Sequence, residues 1–245
     1  MSEAESPSSS KSSGKRKPDH LGHLILAAPV FLLYQVGLLI SPEAANGVDP
    51  LTRSLGYLAG LSWPVYLLIM AVLCAAYGFA LRSLARNHAL NPRRFPLVIG
   101  ESLVYALLMG PTANLLLSKV HLVGLPALGG WVERMGYLDR IVASAGAGFY
   151  EELVFRLLLF GAIAWLLDQK GLKRWQSVAI AALVSSLLFS AVHYVGPGSD
   201  VFALGSFSYR AVLGVFLALI FVFRGFATAV YAHFLYDVYV MCWVL

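Results

Sequence analysis

Charged side chains are scarce in this sequence: Asp, Glu, Lys and Arg make up 13% of its 245 residues, against 59% hydrophobic. A soluble domain ordinarily carries about 25% charged and about 45–50% apolar residues, so a water-covered globular surface of the usual kind is excluded. Cysteine is nearly absent. Cys74 and Cys242 both fall inside apolar runs, which leaves no disulfide framework and no cysteine-ligated metal site, only two packing residues. There is no H-E-x-x-H stretch and no internal repeat. The formal charge of +5 is not gathered into one stripe, because the basic residues lie between apolar segments. That pattern argues for membrane topology and against a nucleic-acid partner.

Long uncharged runs fill the rest of the chain. A spanning helix needs about 20 mostly apolar residues, and several runs reach that length. Residues 1–20 are rich in Ser, Lys and Pro and are expected to form a disordered cytoplasmic tail. The first run, 21–40, exceeds a signal-peptide core of roughly 7–15 residues and reads as an uncleaved span. Further runs at 61–80, 97–118, 141–167, 175–194, 205–223 and 226–245 predict an all-α, polytopic transmembrane bundle of roughly seven spans over 21–245. Lys and Arg cluster in alternate connections: Lys11 to Lys17, Arg82 to Arg94, and Lys170 to Arg174. The positive-inside rule places these, with the N-terminus, in the cytoplasm of a multi-pass cell-membrane protein. Arg224-Gly225 leaves almost no loop between the last two runs, so one of them is expected to be broken or re-entrant.

The run 141–167 holds Glu151, Glu152 and Arg156 amid otherwise uncharged residues. An unpaired charge near the bilayer midplane costs about 2.5–3.5 kcal/mol even on lenient scales, so these groups require partners. Glu152 and Arg156 are four apart, carboxylate first, as a favourable helical ion pair requires. Glu151 points about 100° away and has no such partner on its own helix. Two more ionisable sets recur downstream. Phe189 and His193 lie four apart in FSAVH, and His233 and Asp237 lie four apart in HFLYD, where the carboxylate can accept an imidazole N–H.

In order, EELVFR at 151–156, FSAVH at 189–193 and HFLYD at 233–237 resemble the E-E-x-x-x-R, F-x-x-x-H and H-x-x-x-N/D motifs of the CAAX-protease and bacteriocin-processing (CPBP, or Abi) family. The resemblance covers 141–245 and marks that part as the core. It implies an intramembrane endopeptidase acting on a membrane-anchored protein or peptide within the lipid bilayer. The implied roles are Glu151 as general base, His193 sharing the water, Glu152 with Arg156 behind them, and His233 with Asp237 stabilising the tetrahedral intermediate. Asp237 stands where many members have Asn, and an ionised carboxylate cannot donate a hydrogen bond as an amide does.

A metal-free site without a cofactor is the preferred reading. Zinc held by Glu151, His193 and His233 is its competitor, since two imidazoles and a carboxylate are a known catalytic zinc set. A proton- or ion-coupled transporter, with the Glu and His residues as a relay, is the alternative function; it lacks the paired halves such carriers usually show. Glu101, Asn114 and Arg210 read as interhelical hydrogen-bonding residues. With straight spans, His193 and His233 fall at different depths, which sharing one water does not allow.

Overall fold

The computed structural model describes residues 20–46, Asp49, scattered positions between 64 and 86, 94–119, 132–195 and 199–244. The expected tail lies outside them apart from His20, and so does most of the expected span at 61–80. Among the described residues every regular element is helical, as the composition requires.

Helix α1 (His20–Gly37) buries Ala27, Val30, Phe31 and Tyr34, spaced three and four apart on one face. Its other face shows Leu32, Leu33 and Val36 to the outside. Helix α2 (Arg94–Ser118) is built the same way, with Ser102, Ala106, Met109, Gly110 and Ala113 inward and Leu97, Leu103, Leu107 and Leu115 outward. An outer surface this apolar is stable against lipid, not water. Small inward residues let backbones approach closely, and Ser102 Oγ donates to Thr228 O at 3.1 Å across that contact.

A continuous helical rod follows. It starts as α3 (Tyr137–Gly146), widens into π turns over Ala147–Glu151 and Leu153–Phe160, and ends as α4 (Gly161–Gln169). Beyond Lys170, Gly171 sits at φ +84°, Gly171 N–H bonds Asp168 O at 3.0 Å and Leu172 N–H bonds Leu167 O at 3.2 Å. This is a Schellman closure, which satisfies carbonyls that the helix end leaves open. Helices α5 (Arg174–Val192) and α6 (Leu204–Arg224) then pack side by side.

Helix α7 (Phe226–Tyr239) passes through the middle. Every residue from Phe226 to His233 is buried, and α1, α2, α3, α6 and the π turns all pack on it. Only Gly225 joins it to α6, at φ +89° and ψ 177°, a conformation open essentially to glycine. The short connection anticipated at Arg224-Gly225 is therefore a one-residue corner. Among the described residues α2, α5 and α6 are long and apolar enough to cross a membrane, with Gly22–Gly37 a shorter apolar helix. The chain is thus an apolar helical bundle, and a count of seven spans is not established.

Candidate active site

The π turns carry the carboxylates. A π turn holds more than the usual 3.6 residues, which re-aims side chains relative to a regular helix and is found frequently at functional sites. Here Glu151 closes the first π segment, Glu152 follows, and both point into the bundle, 5% and 0% exposed.

Glu152 Oε1 lies 3.2 Å from Arg156 NH1, the pair anticipated from their spacing. It also lies 2.8 Å from His233 Nδ1. A carboxylate oxygen accepts, so Nδ1 carries the proton and the ring orientation is fixed from Glu152. That function had been expected of Asp237. Asp237 Oδ2 instead stands 3.5 Å from His233 Nε2, on the ring's other side, so the imidazole is bracketed by two carboxylates. Arg156 donates from NH2 to Gly214 O at 3.2 Å and stacks over the Phe189 ring at 4.4 Å. A Cβ at Gly214 would come within 2.9 Å of Ser186 Cβ, so glycine there keeps α5 and α6 close behind the arginine.

His193 follows the last residue of α5. Its Nδ1 lies 2.8 Å from Phe189 O, a carbonyl that can only accept, so Nδ1 donates and Nε2 of the neutral ring is left as an acceptor. Nε2 faces Glu151 Oε2 at 4.0 Å, and His233 Nε2 faces the same oxygen at 4.0 Å. The depth conflict expected of straight spans is absent: the two nitrogens are no farther apart than twice that distance. The rings come together because His193 lies beyond the helical part of α5, while α7 starts directly at the Gly225 corner. Phe189 meets both imidazoles edge-on, His193 at 5.2 Å and His233 at 5.7 Å between ring centroids.

Asn46, in the connection after α1, escaped the sequence reading altogether. Its Nδ2 donates to Glu151 Oε1 at 2.9 Å. No periodicity links positions 105 apart, so no local signal marks it. Of the other polar residues, Glu101 pairs with Arg224 at 2.5 Å and accepts from Tyr105 OH at 2.7 Å. Arg210 pairs with Asp200 and donates to Tyr194 OH at 3.0 Å, an internal network that ties the connection before α6 to that helix. Glu101 thus has the interhelical partner expected of it, whereas Arg210 bonds side chains of the connection before its own helix.

Ionisable side chains converging inside an apolar helical bundle define the class: a membrane protein with a buried polar centre of the kind that serves function. Residues 134–239 match the family model described as Type II CAAX prenyl endopeptidase Rce1-like. The resemblance carried by the three motifs is thus matched independently, by an Rce1-like family model over the segment that holds all three. The chain is also similar to the sporulation-killing factor biosynthesis protein SkfC of Bacillus subtilis (strain 168), with 29% identity over 115 residues, 47% of this chain. The match spans 20% of that relative's length. No solved structure matches.

Proposed function

We propose that the protein is an intramembrane endopeptidase of the CAAX-processing type, cleaving a peptide bond of a membrane-anchored protein with a water activated by Glu151. One observation carries this reading. Glu151 Oε2 is buried, has no hydrogen-bond partner among the described residues, and faces two imidazole nitrogens at 4.0 Å each. A single water fits between them, since two hydrogen bonds of about 2.8 Å meeting near a right angle hold their outer atoms about 4 Å apart.

In the reaction, the water gives one proton to Glu151 Oε2 while its other hydrogen is held by His193 Nε2. Its oxygen attacks the peptide carbonyl carbon and forms the new C–O bond. The developing oxyanion takes a hydrogen bond from protonated His233 Nε2, a ring held in place by Glu152. Collapse breaks the C–N bond, and Glu151 returns its proton to the leaving amine. Until the oxyanion forms, the His233 Nε2 proton rests against Asp237 Oδ2, 3.5 Å away.

Zinc is the competing activator. The donors suit it, since Glu151, His193 and His233 would hold it and it would polarise the substrate carbonyl. Tetrahedral ligands about 2.0–2.1 Å from zinc lie roughly 3.3 Å from one another, however, so the 4.0 Å separations favour the water. Purified protein in lipid nanodiscs, offered a prenylated CAAX-type peptide, tests the reading. C-terminal fragment release, seen by mass spectrometry with wild type and abolished in Glu151→Gln, supports it. Solute or ion movement without cleavage would replace it with the transporter.

A further inference from the structure

Glu151 is gripped from a direction that none of the three motifs supplies. The Asn46 amide donates to its Oε1 at 2.9 Å, and Asn46 is itself seated. Its backbone N–H donates to Tyr34 OH at 2.9 Å, and that hydroxyl donates to Asp49 Oδ2 at 3.0 Å. Tyr34 and Asp49 are wholly buried. The contact also needs room on the rod: a Cβ at Gly146 would run into the Tyr34 ring and stand 3.1 Å from Asn46 Cβ. A glycine, a buried tyrosine and a buried aspartate thus cooperate to press one amide against one carboxylate oxygen.

The terminal torsion of a glutamate is broad and roughly two-fold, so an unrestrained carboxylate presents either oxygen in a spread of directions. With Oε1 engaged by an N–H donor, that torsion is set and Oε2 is aimed at the two imidazoles. General-base catalysis depends on such aim, because the proton acceptor must sit within hydrogen-bond reach of the attacking water. We propose that Asn46, seated by Tyr34 and Asp49, is a positioning residue that locks the Glu151 carboxylate for water activation. This rests on Glu151 acting as the base. It gives the first helix and its following connection, which lie outside the 134–239 match, a direct part in the site.

The test compares wild type, Asn46→Ala, Asn46→Asp and Tyr34→Phe in nanodiscs on the same prenylated CAAX-type peptide. Asn46→Ala lowers kcat ten- to a hundredfold and leaves KM within twofold, because the residue touches the base and not the substrate. Tyr34→Phe gives a smaller loss of the same kind. Asn46→Asp is as impaired as Asn46→Ala at neutral pH but recovers relative to wild type as pH falls, since a protonated carboxyl can again donate to Oε1. A merely structural role produces no such recovery. An unchanged kcat in Asn46→Ala, or an Asn46→Asp profile parallel to wild type, overturns the proposal. Melting temperatures of Asn46→Ala, Glu151→Ala and the double variant provide a readout free of cleavage: a coupled pair gives non-additive shifts, and strictly additive shifts overturn the contact. A wild type that cleaves nothing sinks the protease reading by itself, while the melting cycle still decides whether Asn46 holds Glu151.

Discussion

Glu152 serves two partners from one oxygen, Arg156 at 3.2 Å and His233 at 2.8 Å, whereas Glu151 meets the imidazoles only across a gap of 4.0 Å. Their losses therefore differ in kind. Glu151→Gln keeps size and polarity but cannot take a proton, so cleavage falls by about 10²–10⁴-fold while the melting temperature stays near wild type. Glu152→Gln leaves the fully buried Arg156 without its counter-charge, where breaking a buried pair costs roughly 3–5 kcal/mol, so expression and melting temperature drop together with activity. A Glu152→Gln protein as stable as wild type would show that the Phe189 ring and Gly214 carbonyl suffice for the arginine. At this scale the sequence was informative wherever partners are four apart on one helix, as with Glu152 and Arg156. For His233 it was incomplete: Asp237 stands 3.5 Å from Nε2 at the i+4 spacing, but the Nδ1 partner, Glu152, lies 81 residues upstream. Spacing reveals which pairs can meet, but burial decides which do.

At the scale of elements, the rod and α7 depend on how closely their backbones approach. A Cβ at Gly148 would stand 2.8 Å from Phe234 Cβ and 2.9 Å from its backbone nitrogen. Gly148→Ala should therefore push α7 away from the π turns and draw His233 off Glu152, with activity lost more steeply than stability; assays beside thermal melts of the same preparation would separate the two. Gly225→Ala meets a worse situation, since φ +89° is strained for any side chain and the added methyl would strike the His23 ring. That variant should be the less stable of the pair, by melting in detergent. Neither constraint was legible in sequence. A missing loop at Arg224-Gly225 signalled that the last segments were unusual, but glycine leaves no mark of what it faces. The π turns are equally silent, because an extra residue per turn leaves no mark in a run whose only charged residues are Glu151, Glu152 and Arg156.

For the whole molecule, apolar patterning was enough to identify a helical membrane protein, since lipid-facing and core-facing residues alike must be apolar. The same uniformity hid which helix lies at the centre. The topology expected from alternating basic connections remains open to reporter fusions: one at Lys17 should report cytoplasm, and one at Leu245 the opposite side if the span number is odd. Activity of the purified protein should survive dialysis against a strong chelator, as the water-sized separations around Glu151 imply; loss reversed by added zinc would hand the site to the metal. Because α7 lies in the middle, packed on by α1, α2, α3, α6 and the π turns, synthesis acquires an order. The ribosome makes the surrounding helices first and the central one after them, so His233 is made after Glu151, Glu152 and His193. A nascent chain stopped at Gly225 lacks the helix on which the others pack, and with it the imidazole that Glu152 holds. On the proposed function, the site is therefore incomplete until its central helix is in place.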